Sequence, residues 1–210
     1  MNIDLELINK LKEQKILPII NSVNFKEDLL KLTSLLDANK KIKIIEITLR
    51  ESHSLENAIK LKKRFPNLII GLGSIINKKQ YEEVKNYDFS FFVSPGTIYE
   101  MIDSKIDNYI PGAETISEFN YLDNNEINIV KFFPATLSGG NLKLKSIENI
   151  YKNLAFIPTG GINKSNINSY INLKNVFVLE CQIFLILLIF LTRINLIFCS
   201  QIFCRFNKFF

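Results

Sequence analysis

Short apolar runs rich in β-branched residues alternate, over the first 180 residues, with segments that have helical spacing. Eight such runs are present: Ile16–Ile20, Ile44–Leu49, Leu68–Leu72, Phe89–Val93, Tyr109–Ile110, Ile129–Phe133, Phe156–Ile157 and Val176–Leu179. Their starts lie about 20 to 28 residues apart, enough for a strand, a helix and the return to a parallel strand. Eight such units predict an α/β protein with a (β/α)8 barrel of the TIM type. An open, doubly wound sheet is the alternative, and the even count of eight favours closure.

Helix starts can be recognised by capping-box spacing, in which an oxygen side chain precedes an acid or amide by three residues. Three segments that follow predicted strands have this spacing: Asn24 with Glu27, Asn77 with Gln80, and Thr115 with Glu118. The spacing of Leu5, Ile8 and Leu11 predicts an additional helix before the first strand.

The composition changes abruptly after Glu180. Residues 181–210 hold all three cysteines, carry three bases and no acid, and lack glycine, alanine and proline. Their longest apolar run has nine residues, whereas a membrane span needs roughly 20. We therefore divide the chain into a barrel at residues 1–180 and an anomalous apolar tail at residues 181–210, which replaces the final helix. An altered reading frame is our hypothesis for this tail.

Composition and charge exclude several classes of function. The chain is 47% hydrophobic and 22% charged, which is typical of globular proteins. Its net charge is +5, of which the tail supplies three, so the nearly neutral body gives no reason to expect a nucleic-acid partner. A single histidine, His53, excludes a three-histidine zinc site. The polar N-terminal segment predicts no signal peptide, and we expect a cytoplasmic protein without a membrane partner.

Polar and apolar residues alternate in the second predicted strand. Period two places Glu46, Thr48 and Arg50 on one face and three aliphatic residues on the other. In a barrel the polar face looks inwards, and the carboxyl end of the strand is where barrel enzymes carry out their chemistry. The alternative is a solvent-exposed strand in which Glu46 and Arg50 form an ordinary surface ion pair.

Lys131 is the second polar residue in an apolar context, within the sixth predicted strand. Burial disfavours the ammonium form and predicts a lowered pKa, so that the free amine could attack a carbonyl group and form a Schiff base. A lysine that snorkels to the strand mouth, or a salt bridge to Glu46, is the alternative.

The segment Pro158–Asn163 follows the seventh predicted strand and contains Gly160 and Gly161. Paired glycines allow close approach of the backbone to an anion, and barrel enzymes often bind phosphate after strands seven and eight. A simple strand-to-helix turn is the alternative. The sequence Gly71-Leu72-Gly73-Ser74 is not a dinucleotide-binding fingerprint, because the third glycine is absent.

Six motifs occur in one order: IEITLR, GLGS, FFVSPG, YIPGAETISE, VKFFPA and IPTGG. In this order and spacing they resemble the bacterial 2-dehydro-3-deoxy-6-phosphogluconate (KDPG) aldolase family, which also includes 4-hydroxy-2-oxoglutarate (KHG) aldolase. Each motif alone is weakly diagnostic, whereas all six in order are specific. The resemblance covers residues 5 to 179 and implies a class I aldolase that works through a lysine Schiff base.

The resemblance also implies the roles of individual residues. Lys131 would form the Schiff base, Glu46 would be the general acid and base, and Arg50 would hold the substrate's carboxylate end. The remaining positions that match are Ser74 near the pyruvyl group (usually Thr in the family), Pro95 and Phe133 in the wall of the pyruvate pocket, Thr159 at the position linked to stereochemical choice, and Gly160 and Gly161 among the phosphate-binding amides. His53 is expected to be a loop residue.

The implied reaction cleaves KDPG to pyruvate and glyceraldehyde 3-phosphate, or KHG to pyruvate and glyoxylate. The resemblance implies a small 2-keto acid substrate, a homotrimer, and neither a metal nor an organic cofactor. Two alternatives stay open. One is an inactive or frameshifted relic of the family, and the other is a phosphosugar-binding barrel in which Lys131 is structural.

The chain departs from the family at the eighth strand, where Glu180, Cys181 and Gln182 stand in place of Gly-Gly-Ser. A carboxylate there is expected to repel a bound phosphate, and the lost glycines deny close approach of the backbone. We therefore expect use of the phosphorylated substrate to suffer more than use of the unphosphorylated one.

Overall fold

Strands and helices alternate along the part of the chain that the computed structural model describes, residues 3–182 and residue 186. The strands are β1 (Ile16–Asn21), β2 (Ile44–Thr48), β3 (Ile69–Gly73), β4 (Phe91–Val93), β5 (Tyr109–Ile110), β6 (Gly112–Ala113), β7 (Ile129–Phe132), β8 (Ala155–Pro158) and β9 (Leu179–Gln182). The helices are α1 (Leu5–Gln14), α2 (Phe25–Ala38), α3 (Ser54–Arg64), α4 (Lys78–Val84), α5 (Tyr99–Asp103), α6 (Ile116–Asn124), α7 (Gly140–Ile147) and α8 (Ile167–Ile171). The predicted α/β class is confirmed.

The strands form two parallel sheets, one of six strands in the order β5-β4-β3-β2-β1-β9 and one of three in the order β6-β7-β8. Only Pro111 separates β5 from β6, and its carbonyl accepts a hydrogen bond from the Lys131 backbone N–H at 2.9 Å. On the other side of the smaller sheet, the backbone N–H of Phe177 donates to the carbonyl of Phe156 at 2.8 Å. Backbone hydrogen bonds thus connect β7 and β8 with the segments on either side of them.

The last strand begins later than the sequence predicts. Val176 pairs with Phe156 in an isolated parallel bridge, and the strand proper starts at Leu179, where it pairs with Ile16 of β1. The chain therefore passes from β8 to β1 within a few residues. The predicted tail that replaces the final helix spans residues 181–210. Its first two residues belong to β9, and residues 183–210 lie outside the described residues apart from Ile186, a buried member of the core.

Two apolar clusters fill the fold on opposite sides of the strands. The larger cluster packs the helices against the outer face, with Ile45 and Ile47 of β2 among its members. The smaller cluster contains strand residues that alternate with those of the larger cluster, such as Leu17, Ile44 and Ile129. Because side chains alternate along a strand, the residues two positions further on point to this same side, nearer the carboxyl ends.

Helix α1 closes the amino ends of the strands beneath the smaller cluster. Ile8 and Leu11 belong to that cluster and are buried, as the spacing of apolar residues predicts. Leu7 completes the buried face, whereas Leu5, the third residue of the predicted apolar face, is exposed. Asp4 caps the helix by accepting a hydrogen bond from the Glu6 backbone N–H at 2.7 Å.

Side-chain caps begin three of the later helices at the predicted residues. Asn24 accepts from the Glu27 N–H at 3.0 Å, and Asn77 accepts from the Gln80 N–H at 2.8 Å. Thr115 forms the complete reciprocal capping box with Glu118. In the described part of the chain, no helix is both long enough and apolar enough to cross a bilayer.

Truncation of Leu11 tests the packing of α1 beneath the strands. Leu11 is completely buried, so we expect Leu11→Ala to lower the free energy of unfolding by about 2–5 kcal/mol. The matched control is Leu5→Ala in the same helix, since Leu5 is 65% exposed and its truncation should cost less than about 0.5 kcal/mol. Urea denaturation followed by circular dichroism measures both, and equal losses would contradict this packing.

Candidate active site

Glu46 and Lys131 meet on the inner side of the sheets, where the alternation of their strands predicts them. Each lies two residues beyond a member of the smaller apolar cluster, Ile44 on β2 and Ile129 on β7. Glu46 is completely buried, and the Lys131 Nζ lies 3.3 and 3.5 Å from its two carboxylate oxygens. The salt bridge to Glu46 is therefore present, and the interpretation of Glu46 as an exposed surface residue is wrong.

Glu180 is the third ionisable member of this site, and it approaches the lysine more closely than Glu46 does. Its Oε1 lies 2.6 Å from the Lys131 Nζ, and its Oε2 accepts a hydrogen bond from the Thr159 hydroxyl at 2.9 Å. The two carboxylate oxygens thus pair with Lys131 and Thr159, and the place of this carboxylate beside a bound phosphate stays a prediction. The strand alternation could have indicated this inward direction, since Val178 belongs to the inner cluster and Cys181 to the outer one.

Burial and neighbouring charges change the pKa values of Glu46 and Lys131. Burial raises the pKa of Glu46 to about 8, with the negative charge of Glu180 adding to the rise and Lys131 opposing it. Burial alone would lower the pKa of Lys131, but Glu180 and Glu46 together outweigh burial and raise it. The predicted lowering of the lysine pKa is therefore wrong. At neutral pH the site holds an ammonium group, with Glu46 mostly in its neutral acid form.

Glycine provides the space that the Glu46 carboxylate occupies. A Cβ built on Gly73 of β3 would lie 1.7 Å from Glu46 Oε1. Any larger residue at position 73 would therefore displace the acid from Lys131. The GLGS motif is not a dinucleotide fingerprint. Its second glycine, Gly73, is required because it leaves space for the Glu46 side chain.

Four of the predicted substrate-binding residues surround this centre at the carboxyl ends of the strands. The exposed Arg50 donates from Nε to the Ser74 hydroxyl at 3.3 Å, which brings these two predicted residues together. The Phe133 ring centroid lies 6.0 Å from the Lys131 Nζ. Pro95 lies against Gly112, the residue in register with Lys131 on the adjacent strand.

Gly160 and Gly161 form the turn after β8, and both have positive φ, 93° and 77°. A Cβ on Gly161 would lie 1.9 Å from the Thr136 hydroxyl oxygen, so this position requires glycine. The backbone N–H groups of both glycines donate none of the hydrogen bonds formed among the described residues. Two amides are therefore available to an anion next to Thr159.

His53 lies directly before α3, away from the central group of contacts, as expected for a loop residue. Its Nε2 is buried and has no hydrogen-bond partner in residues 3–182 and 186. The same residues contain no group of three or more histidine, cysteine or acidic side chains placed to hold a metal ion.

A buried lysine beside an acid, at the carboxyl ends of parallel strands, is suited to attack on a carbonyl carbon and to proton transfer at the atoms that result. This arrangement defines the class of enzymes that work through a lysine imine. Residues 7–186 match the profile of the protein family described as KDPG and KHG aldolase, so the chain belongs to that family. The predicted family and its lyase class are confirmed.

Individual relatives agree with the family profile. The chain is 30% identical over 168 residues to a 2-dehydro-3-deoxy-phosphogluconate aldolase of Pseudomonas aeruginosa, covering 79% of this chain and 76% of the relative. It is 31% identical to the KHG/KDPG aldolase of Escherichia coli K12, of which it spans 65%. A solved KDPG aldolase from Legionella pneumophila, with pyruvate captured as a covalent carbinolamine, is 30% identical with a TM-score of 0.76, over 82% of this chain and 84% of that one.

The pKa of Glu46 predicts how stability depends on pH. The folded state binds a proton at Glu46 that the unfolded state releases, between the ordinary pKa of 4.5 and the folded value of about 8. This contribution to the free energy of unfolding is complete below that range and is lost as the pH rises through it, by about 1 kcal/mol per pH unit. Glu46→Gln should remove the contribution, so its stability should fall less steeply with pH.

Urea denaturation of both proteins between about pH 5 and pH 8 measures this difference. Glu83→Gln, which neutralises an exposed carboxylate on α4, is the matched control and should keep the wild-type slope. Parallel curves for Glu46→Gln and the wild type would contradict the raised pKa.

Proposed function

We propose that this chain is a class I aldolase that binds the keto carbon of a 2-keto acid covalently through Lys131. The observation that carries the proposal is the buried contact of 3.3 Å between Lys131 and Glu46, in a chain that belongs to the KDPG and KHG aldolase family. A phosphosugar-binding barrel with a purely structural lysine would also pair the buried ammonium with an acid, so the contact alone does not separate the two functions. The family match favours the aldolase over that alternative.

The reaction begins when the Lys131 ammonium transfers one proton to a carboxylate or to solvent base. The free amine attacks the keto carbon, and Glu46 donates a proton to the carbonyl oxygen as the carbinolamine forms. The hydroxyl group then leaves as water, which gives a protonated imine. Because Glu46 is mostly in its acid form at neutral pH, it can act first as the proton donor.

Cleavage follows from the positive charge of the imine. The imine withdraws the electron pair of the carbon–carbon bond two atoms away, while Glu46, now a carboxylate, accepts the proton of the adjacent hydroxyl. The aldehyde product leaves, and Glu46 returns the proton to the resulting enamine. Hydrolysis of the imine releases pyruvate and restores the lysine amine.

The residues around Lys131 support the remaining roles. Arg50 is the positive side chain at the mouth of the site and would hold the substrate carboxylate, with Ser74 beside it. Phe133 and Pro95 would form the wall against the pyruvyl methyl group. Thr159 would contact the hydroxyl-bearing carbon, where it would influence stereochemistry, once its hydrogen bond to Glu180 opens.

We further propose that the two parallel sheets close into one (β/α)8 barrel. The single residue between β5 and β6, and the hydrogen bonds of Phe177 and Phe156, support a continuous ring of eight strand segments. In this ring the apolar cluster fills the lower interior and the ionisable residues occupy the layer above it. The division into residues 1–180 and a tail at 181–210, the homotrimer and the cytoplasmic location stay predictions.

Both substrates of the family fit the proposal. KDPG would place its phosphate at the free amides of Gly160 and Gly161, whereas KHG would leave them unused. The Glu180 carboxylate contacts Thr159, the residue that precedes Gly160. Its negative charge and the lost glycines at positions 180 and 181 therefore still predict weaker use of KDPG than of KHG.

Replacement of the two central residues tests the mechanism. We expect Lys131→Ala to reduce pyruvate release from KDPG and KHG on the order of 10³-fold or more, because the nucleophile is lost. Glu46→Gln should reduce it by roughly 10²–10⁴-fold, because an amide cannot transfer the protons. Coupling pyruvate to lactate dehydrogenase measures both rates.

Lys79→Ala, which removes an exposed lysine on α4, is the control and should keep the wild-type rate. Circular dichroism establishes that each variant is folded. A folded Lys131→Ala variant that releases pyruvate at the wild-type rate would refute the imine mechanism, and a folded wild-type chain without activity would identify an inactive relic.

Substitution of Gly161 tests the phosphate site. Gly161→Ala places a methyl group against Thr136 at a positive φ, so the loop must move. If KDPG is bound there, kcat/KM for KDPG should fall on the order of 10- to 100-fold relative to kcat/KM for KHG. Gly96→Ala, where a Cβ meets nothing within 4 Å, should leave the ratio unchanged. An unchanged ratio in Gly161→Ala would place the phosphate elsewhere.

A further inference from the structure

Glu180 gives this site a carboxylate that the aldolase mechanism does not require. The mechanism needs one acid at the amine, and Glu46 fills that role. Glu180 nevertheless lies nearer to the Lys131 Nζ, at 2.6 Å against 3.3 Å, and is buried to the same degree as its partners. A buried carboxylate in contact with the reacting nitrogen must affect how that nitrogen gains and loses protons.

The position of Glu180 is fixed by the fold on more than one side. Strand β9 pairs with β1 so that Glu180 is in register with Leu17, a member of the inner apolar cluster. The next residue, Cys181, packs into the larger apolar cluster on the outer face, so the Glu180 side chain points to the inner face. The Thr159 hydroxyl holds the second carboxylate oxygen at 2.9 Å. The carboxylate therefore has little freedom to turn away from Lys131.

Acidic side chains from two strands face the lysine. Among the described residues, β2 contributes Glu46 and β9 contributes Glu180. The strands adjacent to β7 place uncharged residues in register with Lys131, Gly112 on β6 and Ile157 on β8. Within residues 3–182 and 186, the ammonium thus pairs with two acids, of which Glu180 is the nearer.

We propose that Glu180 is a positioning residue that holds Lys131 in its ammonium form, so that this chain forms its imine at more alkaline pH than an otherwise identical site without Glu180. The proposal rests on the proposed aldolase function. Before attack, one ammonium proton must pass to a carboxylate or to solvent base; the nitrogen lone pair then forms the carbon–nitrogen bond, and the carbonyl oxygen takes up a proton. The contact with Glu180 stabilises the state that precedes this transfer, and therefore opposes it.

The same contact is consistent with the raised pKa of Lys131, to which the charge of Glu180 contributes more than that of Glu46. An opposite charge within about 4–6 Å ordinarily changes a pKa by roughly 1–3 units. Replacement of Glu180 by its neutral isostere should therefore move the onset of imine formation by a similar interval towards acid.

The test is the pH profile of covalent trapping. The full-length wild type and Glu180→Gln are incubated with pyruvate and cyanoborohydride over a series of pH values, and the initial rate of adduct formation is followed by intact-mass spectrometry. We expect the midpoint of the profile to lie roughly 1–3 pH units lower in Glu180→Gln than in the wild type. Glu83→Gln is the control with an exposed carboxylate and should retain the wild-type midpoint.

A purely structural role for Glu180 would change the melting temperature of Glu180→Gln but leave the two trapping profiles coincident, and coincident profiles would overturn the proposal. If Glu180→Gln does not fold, the wild-type profile decides: an alkaline midpoint supports the proposal, and a midpoint near neutral pH overturns it. Folded proteins that form no adduct at any pH would instead overturn the aldolase function on which the proposal rests. Lys131→Ala, which should form no adduct, assigns the trapped nitrogen.

Discussion

Glu46, Lys131 and Glu180 share a buried space in which each ion depends on the others. Removing an isolated charge from water costs several kcal/mol, so a lone lysine at this depth would become neutral or would prevent folding. The Glu180 carboxylate at 2.6 Å and the Glu46 carboxyl group at 3.3 Å together offset that cost for Lys131. Other parts of the fold stabilise the contacts of Lys131 with the two acids. The inner apolar cluster excludes water on the side of the strand amino ends, and Gly73 leaves room for the Glu46 side chain.

This dependence creates a conflict between stability and chemistry. A class I aldolase needs a neutral amine at the moment of attack, whereas folding favours an ammonium between two acids. Glu46 serves both purposes, because its raised pKa lets it hold and release protons near neutral pH. Glu180 stabilises the folded state more than it assists the reaction. The resemblance to the family implies a glycine at its position. The departure from the family pattern that the resemblance implies at position 180 therefore brings a carboxylate into contact with the Lys131 Nζ.

The sequence predicted those parts of the site that local periodicity controls. Alternation in β2 places Glu46 inwards, and Lys131 is the single lysine in the apolar strand β7. Both central residues can therefore be recognised from the sequence. The protonation of Lys131 was predicted in the wrong direction, because burial is visible in a sequence whereas the partners of a buried charge are not. The resemblance places Glu180 beside the phosphate, because it stands where the implied pattern has a phosphate-site glycine, and the predicted strand ends one residue earlier, at Leu179. Its continuation to Gln182 follows from pairing with β1, a contact between distant parts of the chain.

The proposed aldolase function depends most directly on a covalent bond between Lys131 and the keto carbon of the substrate. A high-resolution crystal structure of the wild-type protein soaked with pyruvate at alkaline pH would show that bond. We predict continuous electron density from the Lys131 Nζ to the keto carbon, with Glu46 in contact with the adduct. Pyruvate bound at full occupancy without a bond to Lys131, or bonded to a different lysine, would contradict it.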